Sequence, residues 1–221
     1  MQLISTAKLF LSTVHFIPNI MIKKIILWVA LCVLSTSATL ANDKVIAELK
    51  ANAPEQVSCQ FEQQKFLKGM ANPVISKGVL QYQPQNFAMN YSQPEGDYIQ
   101  ITPDAFSMKT RGKVRNHNIK EGSPMLTLKN TLVMCMAGDV QGVANENEAT
   151  LSYANNGGHE FTLTKDLKKG EKGYSKIVLV YDPKAYVLTK MTMVEGNGNY
   201  TVYTLTQHDT KQKIDYQLYK K

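Results

Sequence analysis

The side chains able to do covalent or metal chemistry are few in this chain, and they stand far apart. Beyond residue 41 there are two cysteines, Cys59 and Cys135, and three histidines, His117, His159 and His208. A zinc site needs ligands at short, paired spacings, and none of these five residues stands at such a spacing from another. Cys59 with His117 is the one nucleophile and base that can be drawn together, and the pair lacks a third group to orient the base. There is no Gly-x-Ser-x-Gly elbow and no phosphate-cradling glycine loop; Gly157-Gly158 and Gly196-Asn197-Gly198 fall where hairpins need positive φ. These residues argue against an enzyme, and for a protein with neither metal nor organic cofactor. In an oxidising compartment Cys59 and Cys135 could close a disulfide. Each has apolar neighbours, Val57 and Phe61 around one, Val133, Met134 and Met136 around the other, so burial as two separate thiols is the equal alternative.

The compartment is written at the N-terminus. Met21-Ile22-Lys23-Lys24 is a short cationic start, and Ile25 to Leu34 is an apolar core too short to span a bilayer. The small, weakly polar run Ser35 to Ala41 follows, then Asn42-Asp43-Lys44. This is the pattern of a secretory signal peptide cleaved after Ala41, with Met21 as the expected true start. Residues 1–41 are thus expected to be leader, and 42–221 one domain exported to the periplasm, since no later run approaches a membrane span. Cys32 follows Leu31 inside the apolar core, where a lipid-anchor cysteine does not stand.

Removing Lys8, Lys23 and Lys24 lowers the net charge from +7 to +4. The remaining cations are lysines except Arg111 and Arg115, and no basic helix with interleaved aromatics occurs, so nucleic acid is not an expected partner.

The elements that must position these groups are mostly strands. Val45, Ile46, Leu49 and Ala53 recur at helical spacing and predict a short amphipathic helix ending near Pro54. Beyond it the period becomes two: Ile75–Gln83, Phe87–Ser92, Tyr98–Thr102 and Phe106–Lys113 read as strands separated by proline, glycine, asparagine and aspartate turns. A second series comprises Thr150–Ala154, His159–Lys165, Lys176–Asp182, Tyr186–Glu195, Tyr200–His208 and Ile214–Tyr219. Between the two, Ser123 to Val143 predicts one or two short helices, with Ser123 as N-cap and Pro124 at the first helical position. Its leucines and methionines exceed what a surface helix needs. A mainly β fold with small α follows: one antiparallel sheet of about ten strands that curls and uses the helices as a plug.

Phe61-x-Gln63-x-Lys65, then Ser76-Lys77-Gly78-Val79-Leu80-Gln81-Tyr82, then Pro84-Gln85-Asn86-Phe87-Ala88-Met89-Asn90-Tyr91-x-x-Pro94 resemble the periplasmic outer-membrane lipoprotein carrier family, LolA. The placement of Ser123-Pro124-Met125-Leu126 and the hairpin-rich C-terminal half are similar too. The resemblance implies an incomplete β-barrel lidded by helices, with an apolar cavity for the acyl chains of a lipoprotein. It further implies a monomeric chaperone with acylated lipoproteins as cargo, loaded by an inner-membrane lipoprotein-releasing complex and unloaded at an outer-membrane acceptor. Residues expected to line that cavity are Leu80 and Tyr82, Phe87, Met89 and Tyr91, Ile99 and Ile101, Phe106 and Met108, with Met125, Leu126, Leu132 and Met134 from the helix. Methionine suits such a role, because a flexible thioether adapts to ligands of varied shape. Two positions depart from the family. Gln83 stands where an arginine before the turn holds the lid closed, and cannot make an arginine's charge-assisted bonds; Tyr91 is the match to the usual tryptophan. The reading set against the carrier is an exported, non-enzymatic β protein with a structural or glycan- or lipid-binding role, whose apolar faces are merely core.

Overall fold

The structure is a computed structural model, and it describes residues 42–171 and 173–214. The leader, the expected cleavage site and most of the strand expected over Ile214–Tyr219 lie outside the described residues. Ile214 itself is buried and not in a strand. Apart from the first turn of the N-terminal helix, everything below lies in the unit from Ile46 onward.

Alternation builds the sheet. Helix α1 (residues 42–52) leads into strands β1 (Val57–Phe66), β2 (Val74–Gln83), β3 (Asn86–Gln93), β4 (Glu95–Ile101), β5 (Ala105–Thr110) and β6 (Lys113–Asn118). Helices α2 (Pro124–Met136) and α3 (Val140–Glu146) follow, then β7 (Thr150–Asn155), β8 (His159–Thr164), β9 (Tyr174–Tyr181), β10 (Leu188–Glu195) and β11 (Tyr200–Asp209). All eleven strands form one open sheet in the order β6-β5-β4-β3-β2-β1-β11-β10-β9-β8-β7, antiparallel throughout. The two halves of the chain join where β1 pairs with β11, and the helices connect the two edge strands β6 and β7.

Register carries one apolar face across the strands. Leu80 pairs with Met89, Met89 with Ile99, and Ile99 with Met108; on the other side of β1, Phe61 pairs with Leu205, Tyr203 with Met191, and Met191 with Leu179. Because side chains alternate along each strand, one register continued through the sheet gathers them on the same side. A cβ on Gly78 would lie 2.0 Å from the Asn90 carbonyl oxygen and 2.9 Å from the Phe61 ring. Glycine there lets β3 approach and lets Phe61 meet Tyr91 edge to face, centroids 5.1 Å apart.

The helices begin as their caps dictate. Ser123 Oγ accepts from the Leu126 amide at 3.2 Å with Pro124 in the first turn, and Asp139 Oδ1 accepts from the Gly142 amide at 3.1 Å. Gly138 turns between them at φ +67, where an added cβ would meet Leu49 and Ala53 at about 3 Å, so α1 packs against this turn. The Lys50–Asp139 ion pair at 2.8 Å and the Tyr186 hydroxyl, donating to Glu48 at 2.7 Å, fasten α1 further.

Two strands differ from expectation. The segment after the first helix is a full strand, β1, and Phe106–Lys113 breaks at the Arg111-Gly112 turn, both residues at positive φ, to give β5 and β6. Every residue of β6 is exposed, so it carries no alternation to read. The two cysteines are separate buried thiols, not a disulfide. Cys59 sits in β1 opposite Leu80, and Cys135 in α2, with burial pushing both thiols up to about 12.

Candidate functional site

Between α2 and the concave face of the sheet lies a cavity of about 820 Å³. Native interiors hold few voids larger than a water molecule, and this volume falls within the roughly 300–1,000 Å³ of ligand sites. It is therefore a built space and not a packing defect. Its roof is one stripe of α2: Met125, Leu128, Leu132, Cys135 and Met136, residues that recur at helical spacing. Its walls are the inward residues of β1 to β5 and of β9 to β11.

Of the residues expected from sequence, Leu80, Phe87, Met89, Tyr91, Ile99, Phe106, Met108, Met125 and Leu132 line this space. Four expected residues do not. Tyr82 and Ile101 are buried outside it, each paired with Phe87. Leu126 and Met134 lie on other faces of α2, Met134 with its sulfur 3.0 Å from where a cβ on Gly142 of α3 would stand. The lining also takes in residues not on the expected list: Leu128, Cys135 and Met136 on the roof, and Leu188, Met191, Met193, Tyr203 and Leu205 on the far wall, of which the three methionines stand out in the sequence for their type alone. The alternation of Met191 with Met193 and of Tyr203 with Leu205 was a usable signal, but the pairing of β1 with β11 that brings them across is long-range. Six methionines face the cavity, Met89, Met108, Met125, Met136, Met191 and Met193.

The lining is graded. Toward the end where β1 finishes and the β3–β4 and β5–β6 turns lie, it becomes polar: Gln63, Lys65, Tyr91, Asp97, Lys109 and Arg111, with Val74 and Ile75 at the edge. Tyr91 donates to Gln63 Oε1 at 3.1 Å, and burial, with the Asp97 carboxylate nearby, pushes its hydroxyl up to about 12. Burial raises Tyr203 as well, so these hydroxyls stay neutral donors around neutral pH.

Gln83 does not touch the cavity; it ends β2 opposite Asn86. The roof is held by other groups. The buried Tyr181 hydroxyl donates to the Cys135 carbonyl at 2.7 Å, Lys129 Nζ reaches the Pro103 carbonyl at 2.8 Å, and Asn147 bonds Thr131 at 2.8 Å between the helices. The Cys135 carbonyl also accepts the Gly138 amide at 3.4 Å, and the Tyr181 bond is the shorter of the two.

The groups weighed for chemistry are scattered. Three strands and their turns separate β1, with Cys59, from the β5–β6 hairpin that bears His117. His159 Nδ1 is 3.1 Å from the Tyr153 hydroxyl, and His208 Nε2 donates to the Leu188 carbonyl at 2.9 Å. Among the described residues no cluster of three histidine, cysteine, aspartate or glutamate side chains could hold a metal ion, and no helix is long and apolar enough to cross a membrane.

Comparison with known proteins places these features. A search among curated proteins finds no match. Among solved structures, a domain described as an outer membrane lipoprotein-sorting protein from Vibrio parahaemolyticus is similar at 12% identity and TM-score 0.43, over 80% of this chain and 95% of that one. A LolA superfamily protein from Nitrosomonas europaea is similar at 8% identity and TM-score 0.41, over 80% and 97%. The Mycobacterium tuberculosis lipoprotein LppX is similar at 12% identity and TM-score 0.37, over 77% and 97%. The sequence model of the family "Outer membrane lipoprotein carrier protein LolA" matches residues 52–221. That match takes in all eleven described strands, α2 and α3, and the chain belongs to the LolA family.

Proposed function

We propose that this protein is a periplasmic carrier, not an enzyme, which holds the acyl chains of a lipoprotein under α2 and takes them from the inner to the outer membrane. The observation that carries the reading is the cavity of about 820 Å³ roofed by one apolar stripe of α2. Its magnitude suits the task. Burying about ten methylenes contributes ~8 kcal/mol of transfer free energy, the scale of a micromolar complex before association costs. That is tight enough to keep acyl chains out of water and weak enough for a stronger acceptor to remove them. Family membership supports the same reading and suggests the route: loading by an inner-membrane releasing complex, a monomeric soluble passage, and unloading at an outer-membrane acceptor.

Leu132 tests it. A carboxylate introduced by Leu132→Glu would stand unpaired in the apolar space, where an isolated charge is costly. Titration with a fluorescent acyl probe is expected to show uptake by the parent and its loss in the variant, with far-ultraviolet dichroism unchanged. Equal uptake by both proteins would reject the cavity as the binding site.

A further inference from the structure

We propose that the cavity selects amphiphiles with an anionic head, a carboxylate or a phosphate, seated against Lys65, Lys109 and Arg111 at its mouth. The inference rests on the acyl-binding cavity of the carrier reading and names a further ligand class for it, free anionic amphiphiles.

Three observations carry it. First, the cations are at the same end of an otherwise apolar space. Lys65 is one residue from the end of β1, Lys109 lies near the end of β5, and Arg111 begins the β5–β6 turn, and antiparallel pairing puts these ends together. Second, the backbone at Arg111 is held in place. Asp97 is buried in β4, and its Oδ1 accepts the Arg111 amide at 2.8 Å, anchoring the hairpin tip over the mouth. Lys109 Nζ passes 3.8 Å from the place of a cβ on Gly96, the residue before Asp97. Third, the cations are uncommitted. Among the described residues the ion pairs join Lys50 to Asp139, Lys77 to Glu62, and Lys165 to Glu148 and Glu171. None uses Lys65, Lys109 or Arg111. The lining at this end thus carries three cations against one carboxylate, Asp97, which also accepts a backbone amide.

An amphiphile whose tail fills the apolar end brings its head to this rim. A carboxylate or phosphate there accepts charge-assisted bonds that an alcohol or a zwitterion does not match. Partial burial beside low-dielectric walls strengthens the attraction over that of a surface pair.

Displacement of a neutral apolar fluorophore from the full chain tests this with three ligands of one tail: hexadecanoate, hexadecyl phosphate and hexadecanol. Both anions are expected to bind about tenfold more tightly than the alcohol. In the triple variant Lys65→Gln, Lys109→Gln, Arg111→Gln that preference should collapse while hexadecanol binds as before, which also reports an intact fold. The stronger of the two anions identifies the head as carboxylate or phosphate. Equal binding of all three ligands by the parent, or an unchanged preference in the variant, overturns the head-group proposal and leaves the carrier reading standing. Failure of every ligand to displace the fluorophore overturns both.

Discussion

The two wings of the sheet use the same alternation for opposite ends. In β8 and β9 the inward residues Phe161, Leu163, Ile177, Leu179 and Tyr181 are at most 3% exposed, and none borders the cavity. Phe161 and Tyr181 meet edge to face with centroids 6.1 Å apart, and α3, which packs on β7, buries Val140, Val143 and Ala144. In β3 to β5 the inward residues Tyr91, Ile99 and Met108 are only half-buried and face the space under α2. One wing is a dry core closed by a helix, and the other is a wall that a helix stands away from. Alternation therefore tells which face turns inward, while the distance of the covering helix decides whether that face meets protein or an opening.

The contrast can be broken most forcefully by truncation on each wing. Phe161→Ala is expected to destabilise the protein by about 3–5 kcal/mol, the cost of a cavity in a packed core, read from the denaturant midpoint. Met108→Ala, on the open wall, should cost about 1 kcal/mol or less and instead weaken acyl-probe binding. Equal stability losses at the two positions would mean that the wings are packed alike.

A smaller effect sharpens how the wings cooperate. Tyr181 belongs to the dry wing, yet its hydroxyl holds the roof of the open one through the Cys135 carbonyl. Tyr181→Phe keeps the ring and removes that donor, leaving the carbonyl its longer bond from the Gly138 amide. A loss of about 0.5–1.5 kcal/mol is expected, together with faster release of a bound acyl probe, measured by stopped-flow dilution. An unchanged release rate would show that this bond does not hold the roof.

Much of the sheet could be read before folding, because Phe87, Met89 and Tyr91, or Ile99 and Ile101, alternate over short stretches bounded by turn residues. Ser123 and Pro124 likewise announced the start of α2, since capping is a local matter. What stayed hidden was non-local or featureless. The edge strand β6 is exposed along its whole length and has no apolar period. The far wall of the cavity depends on β1 meeting β11, a pairing between distant residues. The phase of α2 was obscured because apolar residues surround it, so Leu126 and Met134 looked as suitable as Leu128 and Met136. Gln83, the position of the family's arginine, does not line the cavity, and the bond to the end of α2 comes instead from a tyrosine of β9, which no local pattern announces.

Native mass spectrometry of the protein purified from cells that express it, with extraction and identification of whatever accompanies it, is the most direct test of whether acyl chains sit under α2. A bound acylated peptide or lipid near one-to-one, lost in Leu132→Glu, is the expected result. A ligand-free mass, in a protein that also takes up no acyl probe, would contradict it.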